Sequence, residues 1–359
     1  YSSAHGSYDV YVIFMEKSLS LLNRRGHINF ITSNKWLVAD YATKLREMIL
    51  KKYQLVEVDD LADCRRIFES ALVSPAISII RKKSVAEDEF IFRKLSDNEA
   101  RDIATTPFSS AKIAGFLEAK NYQINLLESD ADIALLEKIK LGKQKLSQIS
   151  DVRTGVMGFE YWNFEPFISE HQSGESIRVA TNGFIEPYKF LWGKKVKLFK
   201  KDVYNPHLDI SCPSLNDATL RLFKKKKIII RGVAKRLTAA YDEEGIALLV
   251  AVHCVADLKD TIDPFAILGI LNSALLNWFH IKTYYTARIP EGSLKYPVSF
   301  LEDIPIEINS AIHKKIATIA SELSSSEPSP EKQRKIDQLV YQLYGLTPEE
   351  IALVEEAVQ

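Results

Sequence analysis

Apolar positions set the first expectations. In YDVYVIFMEKSLSLLN, residues 8–23, Val12, Met15, Leu19 and Leu22 recur at the three- and four-residue spacing of a helix with one buried face. RRG turns the chain, and HINFIT (27–32) reads as a short buried strand. SNKW supplies Ser33 and Asn34 to a turn, and helical spacing returns through ADYATKLREMILKKY (39–53). Strands are expected at QLVEVDD (54–60) and PAISIIRK (75–82). Helices alternating with apolar strands predict an α/β sheet.

From about residue 84 the pattern changes: EFIFRKL and YQINLL are short apolar runs between polar stretches, and ADIALLEKIK (131–140) reads as a helix. After LSQISDVRTGVMG, strand-like runs stand between Gly, Asn and Pro: KVKLF (195–199), KIIIRGV (227–233), LTAAY (237–241) and ALLVAVHCV (247–255). DPFAILGILNSALLNWFHIKTY (263–284) predicts one long helix, opened by Asp263 with Pro264 at its first position. Its Leu275, Leu276, Trp278 and Phe279 are core candidates, and His280 is expected to satisfy a backbone group. Helices over 310–323 and 331–344 flank SSSEPSP, and Gly345 ends the second before Thr347-Pro348 starts another. This later region reads as α+β.

A chain of 359 residues exceeds one core and predicts two domains, with room for a helical extension. It opens on YSSAHG rather than Met, as expected of a fragment. No apolar run approaches the ~18 residues of a membrane span. Cys64, Cys212 and Cys254 lie far apart, which argues against a disulfide framework or zinc site and fits a reducing cytoplasm. Lys+Arg and Asp+Glu balance at 47 each, which counts mildly against a nucleic-acid binder but says nothing of local patches.

Several chemistries are excluded by their missing motifs. There is no GxG pair, Walker sequence, HExxH or GxSxG, and no Pro-Pro. The nearest glycine pair, Gly155 and Gly158 in RTGVMG, reads as a loop. No residue is a candidate for catalysis, cofactor binding or metal ligation within the chain.

The order of segments carries a resemblance. DVYVIFMEKSLSLL (9–22), GHINFIT (26–32) and SNKWLVADYATKLREMI (33–49), followed by RIFESALVSPAISIIRK (66–82), resemble the part of gamma-class adenine-N6 DNA methyltransferases that follows their Asn-Pro-Pro-Tyr motif. LSQISDVRTGV, IRVATNGFI, KIIIRGVAKRLTAAYDEEG, ILGILNSALLNWF and IDQLVYQLYGLTPEEI look like the recognition domain of that family, including its Type IIG restriction-modification members. The resemblance implies a partial Rossmann-like α/β methyltransferase domain over 1–125, an α+β DNA target-recognition domain over 126–309, and helices packing on it over 310–359. It implies transfer of methyl from S-adenosylmethionine to a flipped adenine in the parent enzyme, with a nuclease fused outside this chain in some relatives. The glycine loop and Asn-Pro-Pro-Tyr are absent here, so this chain alone is expected neither to bind the cofactor nor to transfer methyl groups.

The resemblance also assigns roles. Phe68 is the candidate face that stacks on a flipped base; the plain alternative is a core residue after the 54–60 strand. Basic residues concentrate in GKKVKLFKK (193–201), with Lys194 and Lys195, and in KKKKIIIRGVAKR (224–236), with Arg231, Lys235 and Arg236. These are candidate phosphate or base contacts. For Lys224–Lys227 a solvated charged face is an equal alternative. Arg153 and Thr154 begin a loop suited to DNA contact, and Thr181 and Asn182 stand at the family's small-polar loop, where Asn-Gly is also an ordinary turn. Arg288, in YYTARIPEG beside Tyr284 and Tyr285, is a further DNA-binding candidate, whereas Tyr284 itself reads as core. Double-stranded DNA is the expected partner, with no membrane, and subunits of a restriction or defence system are candidates. The alternatives are a non-catalytic specificity module and an inactive scaffold of a phage-defence complex.

Overall fold

Residues Tyr11–Leu21 form helix α1, which buries Val12, Met15 and Leu19, the positions picked out by spacing. The structure, a computed structural model, describes the chain apart from residues 7, 65–66, 69–72, 84–87, 128, 157, 173, 285–292 and 359. It divides into two units, Tyr1–Ile133 with Lys282–Ser293, and Ala134–Ile281 with Leu294–Gln359. Both mix helices with sheets.

The first unit is built on a five-stranded sheet. Strand β1 (His27–Ser33) is followed by helix α2 (Thr43–Lys52) and strands β2 (Tyr53–Asp63), β3 (Pro75–Lys82), β4 (Glu89–Ser96) and β5 (Ser109–Lys112). The order is β1-β3-β2-β4-β5. Because β3 runs antiparallel to both β1 and β2, those two are parallel, with α2 in the connection between them. β4 is parallel to β2 and antiparallel to β5. The alternation of helix and strand therefore identified an α/β element, but the sheet is mixed.

One local expectation fails for a physical reason. HINFIT is not buried: β1 is the edge of the sheet, its residues alternate between half-covered and exposed, and Ile31 faces outward. YQINLL, the short apolar run, packs without regular structure beyond Tyr122. Its Ile124 N–H bonds the Leu37 carbonyl at 2.8 Å, and Ile124 and Leu126 plug the core as irregular chain. Arg46 on α2 organises this region from inside. Its guanidinium donates to the Trp36 and Ala39 carbonyls (2.6 and 2.7 Å) and to Asn121 (2.8 Å), so the buried charge is fully bonded.

In the second unit, helix α3 (Asp130–Lys140), which begins in the first, leads to strands β6 (Asp151–Thr154), β7 (Ile168–Ser169), β8 (Ser176–Ala180), β9 (Val196–Leu198), β10 (Lys201–Val203) and β11 (His207–Asp209). Helix α4 (Asp217–Lys224) precedes strands β12 (Lys227–Arg231), β13 (Ala239–Asp242), β14 (Ala247–Leu248) and β15 (Val252–Ala256). They build two four-stranded sheets, ordered β13-β12-β15-β6 and β14-β8-β11-β7, with the β9–β10 hairpin beside them. ALLVAVHCV, read as one run, is two strands, because Ala251 takes a left-handed conformation (φ 59°) between them.

The long helix expected at 263–284 is also two. α5 (Pro264–Leu271) and α6 (Ala274–Thr283) meet at a 58° bend. Asp263 caps α5 as predicted, accepting from the Phe265 N–H at 2.8 Å. The break belongs to Asn272, whose amide both donates to the Ala239 carbonyl and accepts from the Ala239 N–H, each at 3.0 Å. This side chain mimics a strand neighbour for β13, so the helix yields to the sheet. No single described helix is long and apolar enough to cross a membrane, and α5 is almost wholly buried in its own unit.

Three helices close the unit: α7 (Ser310–Ser325), α8 (Pro330–Tyr344) and α9 (Pro348–Val358). Gly345 ends α8 in the left-handed conformation (φ 67°), as its position predicts. His280 bonds the Lys295 carbonyl at 3.2 Å, the backbone role expected of it, and Tyr284 is buried.

Candidate nucleic-acid interface

Register brings several of the proposed DNA-contacting residues to one end of the β13-β12-β15-β6 sheet. β12 and β6 both run antiparallel to the central β15, so their carboxyl ends emerge side by side. Thr154 stands opposite His253, and Arg231 opposite Val252, at that end. The chain then leaves through Gly155 and Gly232. Gly155 is required sterically: a Cβ there would lie 2.4 Å from the Leu248 carbonyl oxygen.

Two further loops are tied to the same end. Asn182 donates to the Val233 carbonyl (2.7 Å) and accepts from its N–H (3.2 Å), so the TNG turn is fixed to the chain after β12. Thr181 is buried beneath it, its hydroxyl without a partner among the described residues. Arg231 reaches the Ile185 carbonyl at 3.4 Å and the Glu186 carboxylate at 3.8 Å. Glu186 also holds Lys194 at 3.3 Å, so one acid bridges the two basic runs. Lys235 is exposed on the loop that follows.

The other candidates are placed differently. Arg153 is 62% exposed and paired with Asp151 at 2.8 Å. Lys195 lies on the β9–β10 side, paired with Asp202 at 2.8 Å. Arg236 is half-buried and donates to the Asn272 carbonyl, tying its loop to the bend between α5 and α6. Arg288 lies outside the described residues. Lys227 corrects the even choice offered for the 224–227 run: it is fully buried, donating to Asp242 and to the Phe223 and Lys225 carbonyls, and is neither a phosphate contact nor a solvated face.

Charge in this unit is largely matched locally. Lys201 pairs with Glu165, Lys225 with Asp257, and Arg178 with Glu244. Within the second basic run, Lys224, Lys226 and Lys235 have no ion pair among the described residues. His253 went unnoticed because it sits in an apolar strand; burial pushes its imidazole down to about 4, so it stays neutral beside Thr154. Glu186 left no sequence signal either, since only the fold shows which cations it meets.

In the first unit, Phe68 lies in the connection from β2 to β3, which leaves at the carboxyl ends of the parallel strands β1 and β2, the ends where open α/β sheets place ligands. Phe68 is 41% exposed, with Ile67 and Val73 exposed near it in sequence. Asn34 supports this end, donating to Asp60 at 3.0 Å and bonding the Ser74 carbonyl through its own N–H at 2.8 Å. Burial pushes the Asp60 carboxyl up to about 6, against the hydrogen bonds from Asn34 and the Ala62 N–H. Trp36 and Leu37 fill the space after β1, the Asn34 side-chain NH2 is engaged by Asp60 while its Oδ1 is buried without a partner among the described residues, and no glycine occurs from Ser33 to Ser74.

Comparison with known proteins shows what the two parts of the chain are similar to. Residues 1–68 match the Eco57I restriction-modification methylase family, and residues 185–306 match the TaqI-like C-terminal specificity domain. A stretch similar to a restriction-modification methylase family thus precedes one similar to a specificity domain, in the order that the resemblance read from the sequence implies. It is 21% identical to the Type II methyltransferase M.PaeR7I of Pseudomonas aeruginosa, over 98% of this chain and 67% of that protein. It is 30% identical to the Type II methyltransferase M.XhoI of Xanthomonas vasicola, over 21% of this chain and 14% of that protein. Its fold is similar to that of the Type IIL restriction-modification enzyme MmeI, solved in complex with DNA (TM-score 0.56, 13% identity, 98% of this chain and 52% of that one). The chain therefore spans only part of the length of these proteins.

Proposed function

We propose that this chain is the recognition-bearing part of a site-specific DNA adenine-N6 methyltransferase of a restriction-modification system. The observation that carries the reading is the convergence of Thr154, Asn182 and Arg231, with Lys235 on the next loop, at one end of the β13-β12-β15-β6 sheet. Arg231 offers a planar fork of donors suited to a guanine edge or a phosphate, and Thr154 and Asn182 offer small polar groups. Lys194, Lys195, Arg153 and Lys235 are exposed and suit phosphate contact, while Arg236 acts from beneath by holding its loop and Thr181 is buried under the TNG turn. Arg288 completes the proposed set.

In the whole enzyme the reaction is transfer of methyl from S-adenosylmethionine to adenine N6. The base leaves the duplex, and Phe68 supplies an aromatic face that replaces part of its lost stacking. The first unit then represents the later part of a Rossmann-like catalytic domain, consistent with parallel β1 and β2 and with Phe68 exposed in the connection that follows β2. The sequence holds neither the family's glycine loop nor Asn-Pro-Pro-Tyr, so the chain by itself is expected to bind duplex DNA without methylating it.

The test is fluorescence anisotropy of a duplex carrying the target site, at one stated salt concentration. Arg231→Ala is expected to weaken site-specific binding by about 1–3 kcal/mol and to leave binding to unrelated duplexes less affected. Equal loss on every duplex would reduce Arg231 to a phosphate contact, and no loss on any would remove it from the interface.

A further inference from the structure

A cavity of about 670 Å³ opens beside the second sheet of the same unit, lined by Gln172, Arg178, Trp192, His207, Lys224 and Glu244 among others. Neither the sequence motifs nor the duplex reading uses it. Arg178 on β8 and His207 on β11 are cross-strand partners in register, and the Trp192 ring meets both. The Arg178 guanidinium lies 5.4 Å from the indole, and the His207 ring packs edge-on against it at 5.0 Å and 82°. Trp192 Nε1 and His207 Nδ1 are buried without a hydrogen-bond partner among the described residues. Lys224 at the end of α4 is exposed and has no ion pair among the described residues, whereas Arg178 is engaged by the exposed Glu244.

We infer that this cavity binds a single nucleotide, either free or as an unstacked residue of a single strand. The volume falls within the range of ordinary small-ligand sites. An indole beside a guanidinium accepts a planar base, since every base offers a π face. Lys224 supplies the free cation for a phosphate, and the two unpaired ring nitrogens can bond a base or sugar. Glu244 sets the affinity from the rim, because its carboxylate neutralises Arg178 and repels the incoming phosphate. The inference stands apart from the duplex reading, since it needs none of the residues at the end of the first sheet.

The experiment uses the whole chain and three probes: dAMP, a short fluorescent oligo(dT), and a duplex. Trp192→Ala is expected to weaken the single-stranded probe by about tenfold and to leave duplex binding unchanged. Glu244→Gln is expected to tighten the same probe by several-fold, and Trp162→Ala, removing an exposed indole elsewhere, to change nothing. Binding of dAMP with the same response to both variants identifies a free-nucleotide site; response of the oligonucleotide alone identifies a strand site. If Trp192→Ala and Glu244→Gln leave both probes unaffected in a folded protein, the inference is overturned. Loss of duplex binding in Arg231→Ala with the Trp192 response intact would separate the two sites.

Discussion

Glu186 is the residue on which the proposed interface is most finely balanced. It holds Lys194 and Arg231 together, so removing its charge frees a cation from each basic run. Glu186→Gln is therefore expected to tighten duplex binding by several-fold in a titration at low salt, the opposite of Arg231→Ala; weaker binding would mean that the bridge positions Arg231 rather than restrains it. Lys227 and Asp242 form a different kind of pair, wholly enclosed. The Asp242 carboxylate also accepts from the N–H groups of Gly245 and Ile246, both at 2.9 Å, and so shapes the turn after β13. Removing one partner strands the other in a place without water. Asp242→Ala is expected to cost about 3–5 kcal/mol, read as a lower denaturant midpoint, and Lys227→Met in the same chain should restore part of it.

At the scale of elements, steric closeness decides which loops can vary. Gly155 lets β6 leave the sheet against the backbone of Leu248, and Gly155→Ala is expected to cost about 1–3 kcal/mol and to displace the Thr154 loop. The outcome to measure is the thermal midpoint together with duplex affinity; an unchanged midpoint would show that β14 gives way freely. Periodicity made α1, α2, β2, β3 and the three closing helices legible, because each buries one regular face against its own unit. It missed the break at Asn272–Ser273 because a polar pair inside an apolar run looks like helix until β13 is known to need it. The same holds for the site. Arg231, Thr154 and Asn182 were recognisable as residues, but their meeting depends on β15 pairing between β12 and β6, which no local pattern encodes. Lys227 looked like its neighbours because burial of a lysine is decided by Asp242, fifteen positions away.

Over the whole chain, two properties follow from how charge is distributed. Local pairing leaves few free cations in the two basic runs, so duplex binding is expected to fall only shallowly with salt. A slope of log K against log salt near −3, for on the order of three neutralised phosphates, is predicted; a slope steeper than about −6 would mean that DNA displaces the paired acids. Stability should respond to pH through His253 and His280, held by burial at about 4 and about 3 in the fold. Unfolded histidine protonates near 6.5, so the unfolded state binds more protons below that value, and stability of the second unit is lost as pH falls from about 6.5 towards 4. Each histidine contributes on the order of 1.4 kcal/mol per pH unit in that window. Asp60, raised to about 6, acts in the opposite sense in the first unit: its contribution is full below about 3.9 and is lost as pH rises through 6. Unfolding monitored across this range should therefore show the second unit weakening in acid first.

The central claim is that the second unit reads a DNA sequence. Selection of bound duplexes from a randomised pool, at about 0.15 M salt, tests it most directly. Enrichment of one short motif by the chain is expected, with loss or relaxation of one position in it by Arg231→Ala. A pool recovered without sequence bias, or a motif indifferent to Arg231, would contradict it.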